Sequence, residues 1–410
     1  MDDRQCGSST PKTKFSGCRS SVDRSHGVRE VRGSIPRTPT KIRCERSESR
    51  ILRDNASECW RYANSRRPDQ NRNMARSTKQ ASQGGPHLDC WHYLDYRDGK
   101  HDKYFAEWKY FNFTQPGLAG YIVYYILSPE KQTSISGGRL LIRAFKNNAS
   151  FGSIKRIPVD RIQCDNVSAD IIMDGAEIVE KNPYLYEIRG NIDDISWTLD
   201  YQQKTPTIEG FQNLNAGFLR WERANWLVEM PGAKVSGEIR KGKEVFRING
   251  LGYTDTNWGE MIPLSSRWEW GQCNDEKLSF TFGMLYGIRK IKRAYFFFSA
   301  GNRTVALEDA QCHVEHTEWI KDKNTGLRMP SRSSFTFQDK DYVVRFSSRL
   351  IQNDILGLKF SSLLPKVVVS EQLVQYRGAI EKNGVPIHKF EETGFREWTT
   401  RTWKNVPLLF

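Results

Sequence analysis

No uninterrupted apolar stretch in this 410-residue chain reaches the ~20 residues that a membrane-spanning helix requires; among the longest, Leu118 to Leu127, spans about half that. No apolar segment near the N-terminus has the form of a signal peptide. The eight cysteines include no Cys-x-x-Cys pair, and a chain of this size needs no disulfide staples, so reduced thiols are expected. A Gly-rich phosphate loop and a Gly-x-Ser-x-Gly elbow are also missing, which leaves nucleotide chemistry and acyl transfer without support. An aromatic content of 12% and low repetitiveness exclude collagen, coiled coil and complete disorder. The expectation is a soluble, cytoplasmic protein, at most peripheral to a membrane.

The net charge of +14 is unevenly distributed. Residues 1–84 carry 19 Lys and Arg against 9 Asp and Glu, whereas the rest carries 43 against 39. A nucleic-acid footprint would be a basic stripe interleaved with aromatics on a folded surface. The body offers only short clusters such as Arg289, Lys290, Lys292 and Arg293, so no nucleic-acid partner is expected.

Residues 1–86 are rich in Arg, Ser, Asn and Pro and show neither helical nor strand periodicity. Such a segment cannot bury enough apolar surface to offset the entropy of ordering, and a disordered basic tail is expected. Its nine acidic residues argue against a transit peptide, and Met74 offers an alternative start. From residue 87 onward the pattern changes to strand after strand. Ile195-Ser-Trp-Thr-Leu-Asp-Tyr201 and Leu278-Ser-Phe-Thr-Phe-Gly-Met-Leu-Tyr286 alternate with one apolar face, as do Tyr184–Arg189, Phe335–Phe337 and Tyr342–Phe346. Turn signals at Gly137-Gly138, Lys241-Gly242, Asn249-Gly250, Asn324-Thr-Gly326 and Asn383-Gly384 separate them. The body therefore reads as all-β, long enough for two barrels or sandwiches in tandem.

Eleven of the twelve tryptophans lie in this body. Wide barrels need bulky fillers, and an apolar cavity for a long hydrophobic ligand needs the same residues, so composition supports both readings. Three strings stand out. In Phe105-Ala-Glu-Trp-Lys-Tyr-Phe-Asn-Phe113, an extended strand puts Glu107, Lys109, Phe111 and Phe113 on one face and Trp108, Tyr110 and Asn112 on the other. Glu107 fits either a desolvated acid or a partner for Lys109. In Gly250-Leu-Gly-Tyr-Thr-Asp-Thr-Asn-Trp-Gly259, the residues Tyr253, Asp255 and Asn257 share a face, and Asp255 fits a turn cap as well as an acid. In Trp268-Glu-Trp-Gly-Gln272, the residues Trp268, Trp270 and Gln272 share a face. A fourth string, Cys312-His-Val-Glu-His316, has metal-binding residue types. On a strand, however, Cys312 and His316 point away from His313 and Glu315, so no metal site is expected.

Together these strings resemble the lipocalin-like family of hydroxyneurosporene synthase (carotenoid hydratase), which shares its two-barrel architecture with some natural-product pericyclases. The family pattern Glu-Trp-Trp-Tyr-Phe reads Glu107-Trp108-Lys109-Tyr110-Phe111, and Met-Pro…Val-Ser-Gly reads Met230-Pro231…Val235-Ser236-Gly237. Gly-Tyr-His-Asp-His-Asn-Trp-Gly reads Gly252 to Gly259 with Thr254 and Thr256 in place of both histidines, and Trp-x-Trp-Gly reads Trp268 to Gly271. The stretch from Asn257-Trp-Gly259 to Gln272-Cys273-Asn274 is also similar to tocopherol cyclases. The resemblance implies two tandem lipocalin-like β domains, 87–262 and 263–410, after the tail. It implies a cofactor-independent hydratase, cyclase or isomerase that protonates an alkene of an isoprenoid or polyene, with a pericyclase or a carrier of hydrophobic ligands as alternatives. Asp255 would be the acid and Glu107 a second candidate. Trp108, Tyr110, Tyr253, Asn257, Trp258, Trp268 and Trp270 would line the substrate. A buried carboxyl stays neutral near pH 7, and aromatic faces stabilise the resulting cation.

Overall fold

The computed structural model describes residues 89–93, 105–127, 136–147, 149–164, 166–215, 223–260, 267–286, 291–301, 303–308, 310–359 and 365–408. The expected disordered tail over 1–86 lies outside them. Regular structure among the described residues is almost entirely strand, as the alternation implies, and no helix there is long and apolar enough to cross a membrane.

The first sheet opens with β1 (Phe105–Gln115), β2 (Leu118–Leu127), β3 (Gly137–Lys146) and β4 (Ala149–Ile157). It continues through the short β5 (Ile162–Cys164) and β6 (Ile171–Met173), then β7 (Ala176–Asn182), β8 (Leu185–Ile192) and β9 (Ile195–Gln203). The strands β10 (Ile208–Asn215), β11 (Arg223–Lys241) and β12 (Glu244–Glu260) complete it. The second sheet holds β13 (Arg267–Asn274), β14 (Leu278–Tyr286), β15 (Ile291–Ala300) and β16 (Arg303–Glu308). It ends with β17 (Gln311–Lys321), β18 (Arg328–Gln338), β19 (Tyr342–Leu358), β20 (Lys366–Lys382) and β21 (Val385–Thr402).

Both sheets are antiparallel, and in each the first strand pairs with the last, β1 with β12 and β13 with β21. Pairing the first strand with the last satisfies the backbone groups of both and moves the sheet edges to β4 and β5 in the first sheet and to β16 and β17 in the second. The first sheet thereby curls into a nearly closed barrel around an apolar core that runs from Phe111 and Ile122 to Tyr201 and Ile239. The second forms a half-barrel around Phe280, Phe282, Phe296, Phe346 and Tyr376. A third apolar layer lies between the sheets and takes residues from both.

This layering explains why β2 is apolar throughout. Ile122, Tyr124 and Ile126 enter the barrel core, while Tyr121, Val123 and Tyr125 enter the layer between the sheets. A strand buried on both faces has no polar face to alternate with. Two turn signals are not turns. Gly137-Gly138 opens β3, and Gly250 lies inside β12, where a Cβ would sit 2.4 Å from the Thr114 carbonyl oxygen. Glycine there permits close strand approach rather than reversal. Asn383-Gly384 does reverse the chain, with φ of 50° and 78°, as Asn-Gly hairpins require.

Inside the half-barrel, β13 turns Glu269 toward a buried network. Arg396 Nη2 and Tyr286 OH donate to its carboxylate at 3.0 and 2.8 Å, and His316 Nε2 lies 3.0 Å away. Cys312 and His316 face inward from β17 while His313 and Glu315 are exposed, so the four side chains diverge. Burial alone would raise the Glu269 pKa, but Arg396, aided by His316 and Tyr286, outweighs it and holds the carboxyl at about 2, below the ordinary 4.5. A depressed carboxyl pKa stabilises the fold fully above about 4.5 and loses that contribution as pH falls through about 2. Urea titrations of the parent and Glu269→Gln should therefore differ by roughly 3 kcal/mol at pH 7 and converge as pH falls toward 2. A gap that is independent of pH would contradict this.

Candidate active site between the sheets

The register of β1 with β12 sorts the sequence-selected residues onto two faces. Cross-strand pairs Trp108–Asn257, Tyr110–Asp255 and Asn112–Tyr253 turn toward the second sheet. There β13 presents Trp268, Trp270 and Gln272, and the two sheets bond directly: Trp270 Nε1 to Tyr253 OH at 3.3 Å, Gln272 Nε2 to Asn112 Oδ1 at 3.2 Å. Asn274 Nδ2 adds a bond to the Gly252 carbonyl at 2.8 Å. Asp255, Trp108, Tyr110, Tyr253, Asn257, Trp268 and Trp270 thus meet in one layer.

Asp255 is buried at the centre. Trp226 Nε1, from β11, and Tyr253 OH donate to the same oxygen, Oδ2, at 2.9 and 2.8 Å. Burial raises its pKa to about 7, although bonds from Trp226, Tyr253 and Asn257 act the other way. When the carboxyl is protonated, the two bonds accepted by Oδ2 leave Oδ1 to carry the proton. Rings surround it: Tyr110 meets Trp270 edge-on at 5.4 Å, and Tyr253 lies 5.3 Å from Trp270. Trp108, Asn257 and Trp268 are only half-buried, so the layer grades from a partly exposed end to a closed centre.

Two more carboxyls complete the layer. Glu371 and Glu397 are cross-strand partners on β20 and β21. Tyr110 OH donates to Glu371 at 2.7 Å, and Trp268 Nε1 donates to Glu397 at 2.6 Å. Burial and then the adjacent Glu397 push the Glu371 carboxyl well above the ordinary range; burial also raises Glu397, which bonds from Trp268 and Glu371 restrain. The bond between the two carboxyls raises Glu371 and lowers Glu397, which makes Glu371 the donor of the pair. Sequence reading missed Trp226, Glu371 and Glu397. The legible signal was weak: Glu371 lies in β20 at a position whose neighbours two residues away, Val369 and Leu373, are apolar.

Glu107 and Trp258 fall on the opposite face, in the barrel, and share no site with Asp255. Glu107 accepts from the backbone amides of His92 and Tyr93 at 3.0 and 2.9 Å and from His92 Nδ1 at 2.9 Å. The His92 ring stacks on Trp258 at 3.9 Å. Glu107 therefore fastens residues 89–93 to the barrel rather than pairing with Lys109. Lys109 Nζ instead meets Asp89, lies 3.6 Å from Glu229 and donates to Thr256 at 2.8 Å. Thr254 and Thr256 both donate to Glu229. The three departures from the family pattern, Lys109, Thr254 and Thr256, thus form one polar cluster inside the barrel and leave the Asp255 layer untouched.

No protein-family model matches the chain, and no curated protein matches it in sequence. Solved structures do match in fold. An AttH-type protein of Nitrosomonas europaea superposes with a TM-score of 0.57 at 16% identity, covering 80% of this chain and 99% of that one. CghA with Sch210972 gives 0.51 at 12% identity, covering 73% and 89%. Kievitone hydratase from Nectria haematococca gives 0.50 at 12% identity, with the same 73% and 89%. At these identities the likeness is one of fold.

Proposed function

We propose that this chain is a cofactor-independent acid catalyst acting on a hydrophobic isoprenoid or polyene held between its two sheets. The carrying observation is Asp255, a fully buried carboxyl at about 7 among Trp226, Tyr253, Trp270 and Tyr110. In this reading the Oδ1 proton passes to an alkene carbon, and the positive charge left on the neighbouring carbon faces aromatic rings. Capture by water, with its proton returned to the Asp255 carboxylate, is hydration. Capture by a substrate hydroxyl is cyclisation, and loss of an adjacent proton is isomerisation; in both, the released proton returns to the Asp255 carboxylate. The fold shared with a protein named as a hydratase supports the reading.

Organic extraction of the purified protein followed by mass spectrometry should release a terpenoid or polyene. Adding such a polyene back should quench tryptophan emission saturably at about one ligand per chain, because this reading seats one ligand among the rings of a single layer. Quenching that never saturates, with nothing apolar extracted, would count against a ligand site. Turnover without a solvent deuterium effect would point to a pericyclase, and binding without turnover to a carrier.

A further inference from the structure

One end of the second sheet gathers features that neither the cores nor the Asp255 layer use. The β17–β18 turn meets the C-terminal end of β21 there, with Lys404 Nζ bonded to the Gly326 carbonyl at 2.9 Å. The start of β20 joins them through Lys366 Nζ and the Lys404 carbonyl at 2.8 Å, and the end of β19 through a bridge from Gly357 to Leu408. Ten tryptophans are described, and only two are exposed, Trp403 at 67% and Trp319 at 40%. Both lie at this end, beside exposed Ile320 and Leu408. The other exposed large apolar residues among those described include no aromatic ring; Val167, between β5 and β6, and Val245, in β12, belong to the first sheet's part of the chain, and Val385 and Ile387 start β21, at the opposite end of that strand from Trp403.

The same end is basic, with Lys321, Lys323, Arg328, Lys359, Lys366 and Lys404. Its nearby carboxylates are engaged: Asp322 accepts from Asn324 and Thr325 in the turn, and Glu318 pairs with Arg332 at 3.1 Å. Exposed tryptophans among lysines are what a membrane interface selects, since the rings settle at headgroup depth while the cations meet lipid phosphates. A nucleic acid would give the Leu408 and Ile320 side chains nothing to bury against. We infer that this end of the half-barrel docks on an anionic lipid surface, with Trp403 and Trp319 inserted among the headgroups. The docking stands apart from the acid chemistry. If the proposed function also holds, Trp268, bonded to Thr399 four residues before Trp403, would present the half-exposed end of the layer to the bilayer.

The full chain tests this in sedimentation with phosphatidylcholine vesicles and with mixed phosphatidylcholine–phosphatidylglycerol vesicles. The parent should bind the mixed vesicles, more weakly at high salt. Trp403→Ser combined with Lys323→Glu should weaken binding by on the order of tenfold or more, given about 1 kcal/mol per basic residue near an anionic surface. Both side chains are exposed, so an unchanged circular dichroism spectrum should accompany the loss. Lipids brominated on their acyl chains should quench parent emission, and Trp403→Phe should remove a large part of that quenching. Binding by the double variant equal to the parent's would assign any affinity to the basic residues 1–84 and overturn the proposal. Parent binding without bromolipid quenching would overturn it as well.

Discussion

Asp255→Asn is expected to abolish most activity and to raise stability at pH 8. Asparagine keeps the shape and one oxygen acceptor for Trp226 and Tyr253 but supplies no acidic proton. Turnover should fall by roughly two to four orders of magnitude, the scale of general acid catalysis, while ligand affinity changes little. The stability effect has the opposite sign and follows from linkage. The folded pKa of about 7 lies above the ordinary 3.8, so the parent is unpenalised below about 3.8 and loses stability as pH rises toward and through 7. The asparagine variant has no charge to bury. Its advantage should grow by roughly 3–4 kcal/mol between pH 4 and pH 8. If Asp255 served only to cap a turn, the change would instead cost about 0.5–2 kcal/mol with little dependence on pH, and activity per folded molecule would persist.

The second large effect concerns Lys109, which holds the barrel's charged cluster together. Its ammonium is buried with Asp89 and Glu229. Burial alone would lower the Lys109 pKa, but attraction first by Asp89 and then by Glu229 raises it above the ordinary 10.5. Burial and Asp89 push the Glu229 carboxyl up, against the pull of Lys109. Lys109→Met would leave acidic groups in a low-dielectric interior without their cation, and removing one partner of such a buried pair typically costs about 3–5 kcal/mol. Urea unfolding should show that loss. Adding Asp89→Asn and Glu229→Gln to the same chain should recover much of it, because the uncompensated groups are then neutral. A single-variant loss below about 1 kcal/mol would mean that the cluster is wet, and the interior account would fail.

Sequence patterning revealed the fold wherever a strand has one dry and one wet face. Ile195 to Tyr201 alternates because Ile195, Trp197, Leu199 and Tyr201 enter the barrel core while Thr198 reaches solvent. Alternation was silent for β2, which is dry on both sides, and misleading at Gly250, where a glycine inside a long strand looks like a reversal. The candidate site was legible on β1, β12 and β13, because period-2 spacing groups Trp108 with Tyr110, Tyr253 with Asp255, and Trp268 with Trp270. It was not legible on β20 and β21, whose Glu371 and Glu397 arrive more than a hundred residues later in the chain. Glu229 was hidden for another reason. Register slips between Leu227, Met230 and Ala233 turn both Glu229 and Met230 into the barrel, which strict alternation forbids.

The proposed chemistry requires Asp255 to be a neutral acid near pH 7, and infrared difference spectroscopy reads that directly. The carbonyl stretch of a protonated carboxyl should be present in the parent at pH 6, absent from Asp255→Asn, and lost from the parent with a midpoint near 7. Subtracting the variant removes the contributions of Glu229 and Glu371, which are common to both proteins. A difference spectrum that shows Asp255 already ionised at pH 5 would contradict the proposed chemistry.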